Sequence, residues 1–97
     1  MLTSKQRAYL RSLSNGLETI FQIGKAGITP ELAEAVDKAL EARELVKARV
    51  LDSAMLDARE AAETVSGRTR SEVVQVIGTR FVLYRHSKKK PGIELPK

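Results

Sequence analysis

The stretch from Gln22 to Pro30, Gln-Ile-Gly-Lys-Ala-Gly-Ile-Thr-Pro, requires an extended segment to become a helix within a few residues, which points to an α/β fold. Ile20, Phe21 and Ile23 are β-branched or aromatic, the composition of a short buried strand. Downstream, the Thr29 hydroxyl can cap a helix, and Pro30 suits the first helical position, where its missing N–H would have had no partner. Between them Gly24, Lys25, Ala26 and Gly27 form a GxxG loop, whose glycines permit positive φ and a close approach of the backbone to a ligand. The following helix presents unpaired N–H groups and a partial positive charge, so the loop suits phosphate, with Lys25 adding a mobile charge at its tip. The plainer alternative is a tight strand-to-helix connection with no ligand. The loop lacks the Gly-Lys-Ser/Thr ending of a P-loop and the G-x-G-x-x-G spacing of a dinucleotide site, which argues against nucleotide hydrolysis.

The rest of the chain repeats the alternation. Leu2, Tyr9, Leu10 and Leu13 share one side of a first helix, with Thr3 or Ser4 as its cap and Asn15-Gly16 as its stop. Leu17 to Ile23 is the first strand. Leu32, Ala35, Val36, Ala39 and Leu40 then mark the apolar stripe of a second helix, whose outer face carries Glu31, Glu34, Asp37, Lys38 and Glu41. Along Leu45–Leu51, Val46, Ala48 and Val50 alternate with Lys47 and Arg49, so this strand has one apolar and one basic face. Ala58, Ala61, Ala62 and Val65 predict a third helix ending near Gly67, and Glu72–Ile77 with Thr79–Arg85 predict a hairpin about Gly78. The order α-β-α-β-α-β-β predicts one two-layer α/β domain over residues 1–86, with a four-stranded mixed sheet and right-handed crossovers. Residues 87–97, which open Ser87-Lys88-Lys89-Lys90-Pro91-Gly92, have no apolar period and read as a flexible basic tail.

A chain of 97 residues supports one modest core. It has no apolar run near the roughly 20 residues of a membrane span, no apolar leader and no cysteine, which together suggest a cytoplasmic protein free of membrane. Its formal net charge is +5, so a polyanion is the expected class of partner. Enzymatic chemistry has little to stand on. His86 precedes the lysine run with no second group to work with, and the pairs Glu31/Glu34 and Glu60/Glu63 fall on solvated helix faces. No spacing of metal-ligating residues appears, and no catalytic residue, metal or cofactor is expected.

Three separated motifs carry a family resemblance: Leu2 to Arg11 (LTSKQRAYLR), Gln22 to Thr29 (QIGKAGIT) and Val74 to Arg85 (VQVIGTRFVLYR). Together they resemble the YhbY family, the stand-alone bacterial form of the CRM domain (chloroplast RNA splicing and ribosome maturation), over residues 1–86. The resemblance implies an RNA-binding fold similar to the C-terminal domain of translation initiation factor 3, in a protein that associates with precursors of the large ribosomal subunit and assists their assembly. It places RNA contacts on Gly24, Lys25, Ala26 and Gly27, on Lys5, Arg7 and Arg11 of the first helix, and on Arg80 and Arg85 of the last strand. Ala26 stands where many members have a different small residue.

GxxG loops of this kind hold nucleic-acid backbones in KH domains. The chain has only four aromatic residues, Tyr9, Phe21, Phe81 and Tyr84, mostly in apolar surroundings that suit a core. Backbone and shape recognition of structured RNA, with limited base reading, is therefore the expected mode. A monomer is expected, since no exposed apolar stripe stands out. The basic surface also suits an acidic protein partner or another structured RNA.

Overall fold

The computed structural model describes residues 2–89 and 91–96; Met1, Lys90 and Lys97 lie outside the described residues. Helix α1 (Ser4–Ser14) starts at Thr3, whose hydroxyl accepts from the Gln6 N–H while the Gln6 side chain accepts from the Thr3 N–H. This reciprocal pairing satisfies two donors that a helix N-terminus would otherwise leave unpaired. Strand β1 (Phe21–Ile23) leads through the glycine loop into α2 (Pro30–Arg43), which Thr29 caps. Strand β2 (Leu45–Val50) is followed by a short 3-10 turn at Asp52–Ala54 and by α3 (Ala58–Thr69), capped by Asp57. Strands β3 (Glu72–Ile77) and β4 (Arg80–Tyr84) form a hairpin across Gly78 and Thr79.

The sheet order is β1-β2-β4-β3. β1 runs parallel to β2, and β4 is antiparallel to both β2 and β3, so β2 and β3 are parallel with β4 inserted between them. Element order and the four-stranded mixed sheet match the sequence reading. The layering does not. Ile23, Val46, Ala48, Phe81 and Leu83 point to α2 and α3, where they pack with Val36, Leu40, Ala61, Ala62 and Val65. The alternate residues Leu45, Val82 and Tyr84 point the other way and pack with Leu10 of α1. Helices therefore cover both faces, giving three layers instead of two. The period-2 alternation of β4 between two buried faces, with Phe81 through Tyr84 all buried, is the signature of that arrangement.

The segment after β4 packs back on the domain. Ser87 is fully buried, and Ile93 and Leu95 pack beside Leu10 and Tyr84 on the α1 side of the sheet. Two carboxylates hold the segment. Glu44, at the end of α2 with φ 66°, accepts from the N–H groups of Ser87 (2.8 Å), Gly92 (2.7 Å) and Ile93 (2.8 Å). Glu41 accepts from the Ser87 hydroxyl at 2.6 Å and the Lys88 N–H at 3.1 Å. Burial raises the Glu44 pKa, but the three amides and the neighbouring His86 outweigh it, leaving the group below its ordinary value. Glu41 is also lowered, first by the Ser87 hydroxyl. The segment is thus joined to α2 by backbone-to-carboxylate bonds, which leave no periodic trace in a sequence.

Three local differences remain. Leu17–Thr19 are not strand; only the Ile20 N–H reaches β2, at the Lys47 carbonyl. Gly67 lies inside α3, which continues to Thr69 and ends at Arg70 in the left-handed region. Tyr9 and Leu13 are exposed, so the buried face of α1 rests on Leu10 and Ser14.

Candidate nucleic-acid interface

The glycine loop, the 3-10 turn after β2 and the β3–β4 turn all lie at one end of the sheet, where the Val50 N–H meets the Thr79 carbonyl at 2.7 Å and the Leu51 N–H meets the Ile23 carbonyl at 2.8 Å. The loop is closed by a bond from the Gly27 N–H to the Gly24 carbonyl at 2.9 Å. Only Gly27, at φ 71°, uses the left-handed region. Gly24 does not, and a Cβ there would meet Leu51 and Ser53 at ordinary contact, 3.6 Å. Lys25 and Ala26 are exposed, and the Thr29 hydroxyl already accepts the Leu32 N–H of α2. The helix end is therefore largely capped from within, and the groups this loop leaves exposed are the side chain of Lys25 and the tip at Ala26.

Across the sheet beside the loop runs a row of directly paired residues: Gln22 opposite Arg49, Arg49 opposite Arg80, and Arg80 opposite Ile77. Directly paired residues project to the same face, so these four side chains stand in line. They share the α1 side of the sheet, but α1 stops short of them. Its last residue, Ser14, sits over the preceding row, where its carbonyl accepts from Lys47 Nζ at 3.4 Å and its hydroxyl lies 3.5 Å from Gln75 Nε2. All four residues of the next row are exposed. Arg49 and Arg80 face each other with no acidic partner among the described residues, an arrangement that costs stability in a sheet unless an anion joins it.

The sequence-predicted residues divide accordingly. Gly24, Lys25, Ala26, Gly27 and Arg80 come together at this end. Arg85 lies at the opposite end of β4 and is only 20% exposed: its guanidinium bonds Asp37 and donates to the Thr69 carbonyl at 2.7 Å, tying α3 and β4 to α2. Arg7 donates to the Val73 carbonyl at 2.9 Å and fastens α1 to β3. Lys5 and Arg11 are exposed on α1, with Arg11 in its last turn. Arg49 and Gln22 are the residues missing from the sequence-predicted set. The alternation along β2 put Arg49 on a polar face, but its place between β1 and β4 is visible only in the register.

Among the described residues no three acidic or histidine side chains are grouped to hold a metal, and no helix is long and apolar enough to cross a membrane.

Comparison with known proteins decides the family. The CRS1 / YhbY (CRM) domain matches residues 2–85, almost the whole chain. The chain belongs to the CRM domain family. It is 45% identical over 96 residues to "Probable RNA-binding protein YqeI" of Bacillus subtilis, an alignment covering 99% of this chain and 100% of that protein. It is 29% identical over 96 residues to an RNA-binding protein of Haemophilus influenzae, covering 99% and 96% of the two chains. The solution structure of a Staphylococcus aureus protein superposes with a TM-score of 0.78 at 50% identity, covering 99% of this chain and 100% of that one. CRM membership thus agrees with the fold: three helices and a four-stranded mixed sheet, with the GxxG loop between β1 and α2.

Proposed function

We propose that this CRM protein binds RNA at the loop end of its sheet, and that the RNA is ribosomal, in precursors of the large subunit whose assembly the protein assists. The Arg49–Arg80 pair, at the same end of the sheet as Lys25, carries the reading: these three cations have no ion pair among the described residues and are an electrostatic match for a phosphate backbone. Lys5 and Arg11 on α1 extend the contact, whereas Arg7 and Arg85 hold the domain together. The names of the relatives support RNA as the ligand. The ribosomal assignment rests on the resemblance of the three sequence motifs. The protein acts as a cytoplasmic monomer in this reading, with no catalytic step.

Sedimentation of a lysate through a sucrose gradient tests the reading. Co-migration with large-subunit precursors, lost at high salt and after ribonuclease, is the expected result. A protein that stays at the top at low salt refutes the ribosomal part, and one whose co-migration survives ribonuclease points to an acidic protein partner instead.

A further inference from the structure

Two apolar side chains at the loop end have no place in a purely electrostatic surface. Met55 is 94% exposed and Ile77 is 63% exposed. Ile77 ends the Gln22–Arg49–Arg80 row. Met55 is held at φ 60°, a left-handed conformation that is costly for a side chain of this kind and that aims it out of the turn after β2. Met55 also lines a cavity of about 260 Å³ with Leu56, Gly78 and Thr79, the last two being the residues that follow Ile77. The same cavity is lined by Asp52 and Asp57. A phosphate is repelled there, while the uncharged face of a nucleobase is not. Cations on one side and exposed aliphatic groups on the other reproduce the two halves of a nucleotide.

We infer that the RNA taken at this end is unpaired, with its phosphates on Lys25, Arg49 and Arg80 and its bases against Ile77 and Met55. The inference rests on the RNA reading above and sharpens it. In a duplex the bases are stacked and paired inside the helix, so an exposed aliphatic group finds no base face; in a loop or bulge the bases can be splayed outward. Aliphatic contacts replace the aromatic platforms of other single-strand binders, whose sheets stack bases directly. An unpaired segment within a structured RNA satisfies both this surface and shape recognition.

The test compares the full chain with the double variant Met55→Ala, Ile77→Ala on two probes, an unpaired oligoribonucleotide of mixed sequence and a fully paired RNA duplex of the same length. Alanine keeps the left-handed cost at position 55, and both sites are exposed, so the fold survives; an unchanged thermal midpoint checks this. The parent should prefer the unpaired probe, and the double variant should bind that probe about tenfold more weakly. Its salt slope should match the parent's, because no phosphate contact is lost, whereas Arg80→Gln should lower the slope by about 0.7 on the single strand. A double variant that binds the unpaired probe as tightly as the parent overturns the inference, as does a parent that binds the duplex equally well. If the parent binds neither probe, the RNA reading itself falls. If the variant loses only a protein partner, Met55 and Ile77 belong to a protein contact and the assignment to bases is wrong.

Discussion

Glu44→Ala is the substitution with the largest predicted effect on the fold. Glu44 is only 1% exposed, and its two carboxylate oxygens accept three backbone N–H groups of the C-terminal segment, with His86 Nδ1 3.3 Å away. Truncation leaves three amides facing the void of a deleted anion. Hydrogen bonds to charged groups contribute about 1.5–3 kcal/mol each, but the three share one acceptor and do not add. Water can also reach part of the site, since Gly92 is exposed. A net loss of about 3 kcal/mol is expected, within the range for removing one partner of a buried charged network. For a domain of this size that lowers the thermal midpoint by roughly 12–24 °C.

Hydrogen exchange separates the two ways the loss can appear. If the segment detaches locally, the Ser87, Gly92 and Ile93 amides exchange freely while β2 and β4 stay protected. If its detachment bares Leu10 and Tyr84 enough to melt the α1 side, protection falls across the sheet as well. Glu44→Gly serves as a control, because it relieves a left-handed backbone cost of about 1–2 kcal/mol while removing the same carboxylate. It should therefore be more stable than Glu44→Ala. A Glu44→Ala protein that unfolds within about 1 kcal/mol of the parent, with the three amides still protected, refutes the reasoning.

Other outcomes follow from the same geometry. Glu41 and Glu44 both have pKa values below the ordinary 4.5, so the stability they contribute is present above that pH and is lost as the pH falls through their lowered values. Tyr84 is raised above 10.0, by burial first and then by Glu44, so stability should also fall as the pH rises past that value; unfolding followed across both limbs checks the pair. Gly27→Ala should cost about 1–2 kcal/mol through its positive φ alone, nothing lying within 4 Å of the added Cβ. Gly24→Ala should fold normally, so any loss of RNA affinity it shows measures close approach of the ligand. Arg49→Gln should stabilise the free protein by about 0.2–1 kcal/mol through relief of its repulsion with Arg80, while lowering the salt slope of single-strand binding by about 0.7. Simultaneous loss of both stability and affinity would show that Arg49 has a partner in the fold.

What could be read from the sequence was what local pattern encodes. The period of Leu32, Val36, Ala39 and Leu40 and the Thr29-Pro30 start gave α2, and Gly78 gave the hairpin. Nonlocal partners left no such trace. Arg85 resembles a free surface cation until Asp37, on another helix, is seen to meet it. Glu44 resembles a solvated helix end until the chain returns more than forty residues later to donate three amides to it. Tyr9 matched an apolar stripe, but α1 crosses the sheet on Leu10 and Ser14, so the aromatic ring stays outside. The alternation of Lys47 and Arg49 was legible; that Arg49 faces Arg80 follows from the insertion of β4 beside β2, which sequence order conceals.

The two ends of the sheet handle charge in opposite ways, and this contrast is the strongest argument for where a ligand sits. At the far end, Arg85 meets Asp37, His86 meets Glu44, and Glu41 receives the tail, so these groups find their partners within the chain. At the loop end, Lys25, Arg49 and Arg80 form no ion pair among the described residues, although Asp52 and Asp57 line the cavity beside Gly78 and Thr79. The turns that frame this end are held by positive φ at Gly27, Met55 and Gly78, which fixes the spacing between the cations and the apolar groups before any ligand arrives. A domain selected for stability alone would pair Arg49 with a carboxylate on β4 and place glycine at position 55. Retaining both costs here makes sense if the counter-charge comes from outside, and a polyanion that lowers the free energy of only the folded state would return that stability on binding.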